Sequence, residues 1–269
     1  MEGIVSEPFF SIGTSIVIFI FGLIVGSFLN VCIYRMPRER SVVKPRSFCP
    51  HCKKTIVWYD NIPLLSYVLL GGRCRSCRKK ISLQYCIVEL LTGLFFLWFY
   101  HEAGLSWLFF IHIVFVCALI VATFVDFNFR IIPDEISIGG IVVGLLFSFV
   151  FPMLHHVDNH FMGFVKSLLG VIVGGGVIWL TGIVGDFIFK KETMGGGDVK
   201  LLAMIGAFLG WQMALLTFFV APLFGSVIGI IIKLKTKSSL IAYGPYLSLA
   251  SIVVLFWGNE ILNWVLYRY

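Results

Sequence analysis

The sequence predicts an all-α polytopic membrane protein with about eight transmembrane helices and one large cysteine-containing loop. Of its 269 residues, 59% are hydrophobic and only 13% are charged, whereas an average soluble domain is about half apolar and roughly a quarter charged. The apolar residues occur in long blocks with the length of membrane-crossing helices. A single large soluble core is excluded, because the polar residues are too few to cover it.

The first two apolar blocks flank the loop. The apolar block at about 11–34 predicts the first span. In it, Gly22 and Gly26 are spaced as Gly-x-x-x-Gly, which indicates close packing against another helix. The loop covers residues 36–83, where four prolines break any long helix. The second span is predicted at about 84–100.

Six further spans are predicted in the rest of the chain. The fifth of the eight is rich in glycine, which indicates tight packing against its neighbours. The sixth is shorter than the roughly 20 residues that a full crossing needs. These six spans lie at about 107–125, 136–154, 163–185, 199–210, 213–232 and 240–257.

The charge distribution predicts the orientation. Twelve of the 21 lysines and arginines lie within residues 35–80, against two acids, and basic loops stay on the cytoplasmic side of a membrane. The loop is therefore predicted inside and the N-terminus, which has no cleavable signal pattern, outside. Alternation then places segments 126–135, 186–198 and 233–237 inside as well, and the last two carry lysines.

Two aspartates are predicted at the inner ends of their helices. Asp126 follows the third span, and Asp198 follows three glycines at the start of the sixth. Two close carboxylates share one proton, so that one activates a water while the other donates to a substrate carbonyl. Such a pair hydrolyses a peptide bond without a metal. The alternative is that both residues cap helices or pair with Arg130 and Lys200.

Four other polar residues lie in or beside the spans. Asp134 follows Pro133 at the start of the fourth span, so a helix N-cap is the favoured interpretation, and it is the second choice for the first catalytic position. Asp186 ends the fifth span and is expected to face the next loop. Glu89 lies inside the second span and must be paired, protonated or beside a polar cavity. His112 is expected to be a packing residue.

The cysteine pairs predict a structural zinc site in a cytoplasmic zinc-ribbon-like loop. Cys49 and Cys52 are separated by 21 residues from Cys74 and Cys77, close to the zinc-ribbon spacing. Four thiolates complete a closed tetrahedral site, and an inside location disfavours disulfides; a redox role is the alternative. His51 is predicted not to be a ligand. The basic residues lack interleaved aromatics, which favours contact with lipid or substrate over nucleic acid.

Several stretches together resemble one family, the bifunctional type IV prepilin peptidases, which are intramembrane aspartyl proteases of the Gly-x-Gly-Asp type. The similarity spans almost the whole chain. Cys86 and the stretch 242–246 depart from the usual family pattern, but neither departure touches an assigned acid. The matching stretches are 26–37, both cysteine pairs, 60–66, 88–93, 126–134, 195–201 and 244–247.

The resemblance implies a bacterial inner-membrane enzyme of a type IV pilus or type II secretion system. Such enzymes cut a short basic leader from prepilins or pseudopilins at the cytoplasmic face, then methylate the new N-terminal amine with S-adenosylmethionine. Asp126 and Asp198 would form the proteolytic pair in a core of residues 102–269. Residues 1–101 would form the methyltransferase part, with Glu89 and Gly93 as candidates for cofactor binding.

Two other classes of function remain open on the sequence. A zinc-ribbon membrane scaffold without chemistry explains the cysteines and the basic loop, but not the glycines before Asp198. A proton-coupled transporter uses Asp126, Asp198 and Glu89, but it requires carboxylates spread along a pathway near the bilayer midplane. The two aspartates are instead predicted at one interface.

Overall fold

The fold, taken from a computed structural model, is described for residues 12–190, 193–236 and 242–266. The expectations for the N-terminus and for Lys191 and Lys237 fall outside these ranges. Within them the secondary structure consists of helices without strands, and the two β-bridges are isolated. The α-helices in these ranges are α1 Ile12–Arg35, α2 Leu65–Leu69, α3 Gln84–Ala103, α4 Trp107–Phe129, α5 Asp134–Val150, α6 His160–Phe189, α7 Gly196–Leu209, α8 Trp211–Thr236 and α9 Gly244–Leu266.

The eight long helices correspond one by one to the eight predicted spans, so the all-α prediction is confirmed. Among the described residues, α1, α3, α4, α6 and α9 are long and apolar enough to cross a membrane. Helix α8 adds a shorter apolar stretch, Trp211–Val227, and α7 has only 14 residues. The chain is therefore a multi-pass membrane protein, and many of its large apolar side chains are exposed where lipid would contact them.

Several helices extend beyond the apolar blocks that predicted them. Helix α4 continues to Phe129, so Asp126 lies within its last turn. Helix α8 continues to Thr236, through lysines that were predicted to lie in a loop. A helix propagates by adding one hydrogen bond for each residue fixed, so its end does not have to coincide with the end of a hydropathy block.

The chain forms two compact units, one of residues up to Val121 and one from Ala122 onward. In the first unit α1 and α3 pack through glycine. A Cβ added to Gly22 would lie 2.8 Å from the Cα of Gly93, and one added to Gly26 would lie 2.7 Å from the Cα of Glu89. The predicted close-packing face of the first span is therefore confirmed.

The second unit is organised around α7, which packs against α5, α6, α8 and α9. Helix α6 approaches α7 at its glycines, since a Cβ on Gly170 would overlap with the carbonyl group of Gly206. The α7 side chains of Leu201, Met204 and Ile205 are completely buried. This packing fixes the position of the N-terminal end of α7, where Asp198 lies.

Candidate functional site

Asp126 is held by the start of α9. Its side chain is only 6% exposed, and its Oδ2 accepts a hydrogen bond of 2.9 Å from the backbone amide of Gly244. A Cβ on Gly244 would lie 2.8 Å from that oxygen, so a larger residue here would displace the carboxyl group from this position. The amides at the N-terminal end of a helix favour a negative charge, and α9 therefore stabilises this carboxylate.

Asp198 is the third residue of α7, behind the helix N-cap residue Gly195. The Gly195 amide donates a hydrogen bond to the Asp198 carboxylate, and the Asp198 amide donates to the Gly195 carbonyl at 3.0 Å. A carboxylate that reaches back from the third position to the N-cap amide is one half of a capping box. The helix-cap interpretation of Asp198 is thus correct in part, and the contact with Gly195 orients the Asp198 side chain.

The two carboxyl groups lie near each other in the second unit. Asp126 acts electrostatically on Asp198, and Arg130 acts on Asp126. Within the described ranges neither aspartate forms a salt bridge, and Lys200 pairs instead with Asp134, at 2.6 Å. The ion pairs of the alternative interpretation are therefore not formed.

The N-cap interpretation of Asp134 is wrong. Pro133 is the N-cap residue of α5, and Asp134 is the first helical residue, with no side-chain cap. Its side chain is 58% exposed and pairs with Lys200, an interaction that contributes little to stability at such exposure.

Two other expectations for polar residues hold. Asp186 accepts hydrogen bonds from the amide and the hydroxyl of Thr193, at 2.7 and 2.8 Å, and so faces the segment after α6. The ring of His112 packs against Phe99, with 5.1 Å between the centroids.

The four predicted zinc ligands form one cluster in the first unit. The sulfur atoms of Cys49, Cys52, Cys74 and Cys77 all lie within 4.8 Å of one another, and His51 is not part of the group. The Cys49 and Cys77 sulfurs are 3.9 Å apart, and four thiolates around a tetrahedral Zn²⁺ lie about 3.8 Å apart, given a Zn–S distance of about 2.3 Å. The donor set and its spacing therefore fit zinc.

Two similar turns build this cluster. Lys53 donates its amide to the Cys49 carbonyl at 2.9 Å, and Arg78 donates its amide to the Cys74 carbonyl at 2.9 Å. Lys53 and Arg78 both have positive φ, at 60° and 57°. Each turn thus presents two thiols to the same point.

The backbone also acts on the thiols. The amides of Cys77 and Ser76 lower the pKa of Cys74 to about 7, which favours the thiolate that binds metals. The Lys79 amide acts to lower the pKa of Cys77, but partial burial and the Cys74 thiol outweigh it and raise that pKa to about 11. The opposite shifts arise because neighbouring thiols compete to keep their protons, and metal binding removes those protons from the whole set.

Comparisons with known proteins agree with this arrangement. Residues 20–103 match the family model for the bacterial peptidase A24 N-terminal domain, and residues 113–230 match the model for the type IV leader peptidase family. The prepilin leader peptidase/N-methyltransferase of Aeromonas hydrophila is 33% identical over 276 residues, which cover 93% of this chain and 92% of that protein. The chain belongs to the type IV leader peptidase family.

Further relatives carry the same name. The prepilin leader peptidase/N-methyltransferase of Neisseria gonorrhoeae is 33% identical, over 91% of this chain and 92% of its own length. That of Myxococcus xanthus is 38% identical over 82% of this chain, and the chain spans 64% of its length. No solved structure matches the chain.

This type IV leader peptidase also contains a cavity of about 700 Å³ in its first unit. The wall is formed by the end of α1, the cysteine loop and the start of α3, and it includes the side chain of Glu89. Gly93 is not among the lining residues and packs instead against α1, where Gly22 approaches it. Of the two candidates for cofactor binding, the structure places Glu89 in the cavity wall.

Three contacts beside the aspartates and the cavity were not identified from the sequence. The Gly244 amide that holds Asp126 is a backbone donor, and only the match at residues 244–247 pointed to this segment. Asp198 acts electrostatically on Tyr243, which precedes Gly244, and burial together with this carboxylate raises the pKa of the Tyr243 phenol to about 12. Asn30 lines the cavity, and its position at the end of an apolar block was the available signal.

Proposed function

We propose that this chain is a membrane-embedded aspartyl endopeptidase that removes the leader of type IV prepilins or pseudopilins and then methylates the new N-terminal amine. The observation that carries the peptidase assignment is the pairing of Asp126 and Asp198, each held by a helix N-terminus and neither joined to a cation among the described residues. The names of the curated relatives supply the substrate class.

The geometry supports cleavage by a shared proton. The Gly244 amide occupies Oδ2 of Asp126, so Oδ1 is available to the reacting water. In the hydrolytic step, one aspartate takes a proton from a water molecule, and the oxygen of that water attacks the scissile carbonyl carbon. The other aspartate donates a proton to the carbonyl oxygen. Collapse of the tetrahedral species breaks the C–N bond, and the leaving amine takes up a proton from the pair.

Zinc would have a structural role. Four cysteine thiolates close the coordination sphere, so no position is left for substrate or water. The bound metal would tie the two turns of the cysteine loop together and so fix one side of the cavity above α1 and α3.

The cavity fits the methyl donor S-adenosylmethionine. Its volume of about 700 Å³ is within the roughly 300–1,000 Å³ range of small-molecule sites. Tyr34, Tyr59 and Tyr85 line it. Arg38 lies over the Tyr34 ring and Arg75 over the Tyr59 ring, so Tyr85 supplies the aromatic face that would attract a cation such as a sulfonium. The donor supplies an electrophilic methyl group: the amine lone pair forms the C–N bond, the C–S electron pair remains on sulfur, and the nitrogen releases a proton.

The two activities are assigned to different parts of the chain. Methylation belongs to the first unit, which contains the cavity and the cysteine cluster, and proteolysis belongs to the second, which contains both aspartates. The density of lysine and arginine in residues 35–80 supports an inner-membrane protein with this loop and the aspartates on the cytoplasmic side and the N-terminus outside. The scaffold and transporter alternatives are not favoured, because the relatives are named as enzymes.

Mass spectrometry of a prepilin co-expressed with this chain tests the proposal, because leader loss and methylation each leave a distinct mass change. We expect a pilin that lacks its leader and carries one N-methyl group. A control expression without the chain should leave the precursor intact. A precursor that keeps its leader in the presence of folded, membrane-inserted protein would contradict the peptidase assignment, and a cleaved but unmethylated pilin would contradict the methyltransferase assignment.

A further inference from the structure

The cavity contains a buried acceptor without a partner. Asn30 is 4% exposed, and its Nδ2 donates to the carbonyls of Gly26 at 3.3 Å and Tyr85 at 3.0 Å. Its Oδ1 has no hydrogen-bond partner in the described part of the chain, although Asn30 lines the cavity. A buried acceptor is normally satisfied, so this oxygen indicates a ligand with a donor group.

A buried carboxylate lies in the same wall. Glu89 is 7% exposed, and its Oε2 accepts a hydrogen bond of 2.9 Å from the backbone amide of Leu64. Ser27 also hydrogen-bonds this side chain, but no cation within the described ranges forms a salt bridge with it. An acid inside a membrane helix that lacks a cationic partner is a candidate for binding one.

The backbone at Leu64, whose amide donates to Glu89, has a strained conformation. Leu64 has φ 58° and ψ −49°, and the Leu65 amide donates to the Pro63 carbonyl at 2.6 Å, which closes a three-residue turn. This form of the γ-turn is rare and strained for a residue with a side chain. Such strain concentrates at functional sites, and here it directs the Leu64 amide at the Glu89 carboxylate.

Asn30 and Glu89 lie on one helix interface. Gly26 of α1 is opposite Glu89 of α3, and Asn30 bonds to the carbonyl of Tyr85. The two helices are therefore antiparallel. Asn30 lies four residues after Gly26 on α1, and Tyr85 lies four residues before Glu89 on α3. The positions of Asn30 and Glu89 are thus offset by four residues, or about 6 Å along the helix axes.

The other charged groups of the cavity are already paired or exposed. Asp60 forms two hydrogen bonds with Arg75, at 2.6 and 2.7 Å. Arg35 donates to three backbone carbonyls of the cysteine loop. Arg35 is itself buried, but these carbonyls already hold its guanidinium. Lys79 and Lys80 are exposed. Of the two acids that line the cavity, Glu89 is therefore the one without a cationic partner among the described residues.

We propose that the Asn30 Oδ1 and the Glu89 carboxylate together bind an alkylammonium or amine group. This inference rests on the proposed methyl transfer, in which two ligands carry such a group. One is the amino-acid end of the methyl donor, and the other is the new N-terminal amine of the cleaved substrate. Both would find a charge-assisted hydrogen bond to Glu89 and a neutral acceptor at Asn30.

Glu89→Gln in the full-length, zinc-loaded chain tests the proposal. Glutamine keeps the size of the side chain and an acceptor for the Leu64 amide, but it removes the charge. Calorimetric titration would compare S-adenosylhomocysteine with 5′-methylthioadenosine, which lacks the amino-acid end. A second pair would compare a peptide that begins with phenylalanine with its N-acetylated form. Glu102→Gln is the matched control, since it makes the same change at an exposed acid of α3 that does not line the cavity.

We expect Glu89→Gln to weaken binding of one amine-bearing probe by about tenfold or more, while binding of its amine-free counterpart does not change. The Glu102→Gln variant should bind every probe as the wild type does. The probe pair that responds identifies the source of the amine. The inference would be overturned if Glu89→Gln affected amine-bearing and amine-free probes equally. It would also be overturned if neither probe pair were affected while the bound zinc and the melting temperature of the variant match the wild type. If the inference failed in this way, methylation of pilin by the wild-type protein would still support the proposed function. A wild-type protein that neither methylates pilin nor binds any probe would overturn the inference and the proposed methyltransferase function together.

Discussion

Replacing either Asp126 or Asp198 with asparagine is expected to reduce leader removal by on the order of 10³-fold or more, because proton transfer by a positioned acid or base contributes about 10² to 10⁴ and both roles are lost when the shared proton is lost. Asparagine is isosteric and still accepts the hydrogen bond from the Gly244 or Gly195 amide. The fold should therefore be retained. The measurement is the rate of conversion of a purified prepilin, followed by mass.

Asp134→Asn is the matched control. This residue is also an acid near the start of a helix, but its side chain is 58% exposed and paired with Lys200, so cleavage should remain within a few-fold of the wild-type rate. Normal cleavage by Asp126→Asn together with loss of cleavage by Asp134→Asn would show that the wrong first aspartate has been assigned.

Loss of the zinc site is expected to have the second large effect. Structural zinc contributes about 10–16 kcal/mol in zinc-finger peptides, so Cys49→Ser or Cys77→Ser should abolish bound zinc and unfold the loop. Because this loop forms much of the cavity wall, methylation should be lost. Cleavage should fall far less, since the aspartates and their hydrogen-bond partners lie in the second unit.

Zinc content by elemental analysis and methylation by mass spectrometry check this prediction on the same purified sample. Cys117→Ala provides the control, because this cysteine lies in α4, outside the cluster, and should leave zinc content and methylation unchanged. Full methylation by a zinc-free Cys49→Ser protein would show that the cluster does not support the cavity.

The sequence was sufficient for the helices, because hydropathy over the length of a span reports directly on membrane burial. It was also sufficient for the close-packing face at Gly22 and Gly26 and for the clustering of the four cysteines, since both depend on spacing, but it did not identify α3 as the helix that packs on those glycines. It did not predict that Asp134 pairs with Lys200. That pair joins residues 66 positions apart, and only the packing of α5 on α7 brings them together.

Contacts made by backbone atoms were the least predictable. The Gly244 amide holds Asp126 and the Leu64 amide holds Glu89, yet every residue other than proline carries such a donor. The positive φ of Leu64 is uncommon for leucine and cannot be anticipated from its side chain. These contacts result from tertiary packing, which local patterns in the sequence do not encode.

Asp126 and Asp198 should meet in one site, and thiol cross-linking would show whether they do. Asp126→Cys and Asp198→Cys would be combined in one zinc-loaded protein and treated with a short bifunctional thiol reagent. We predict a cross-link between the peptides that contain positions 126 and 198, and none in a matched protein with Asp126→Cys and Asp186→Cys. If the cysteines at 126 and 198 are each modified singly and no cross-link forms, the two side chains do not share a site.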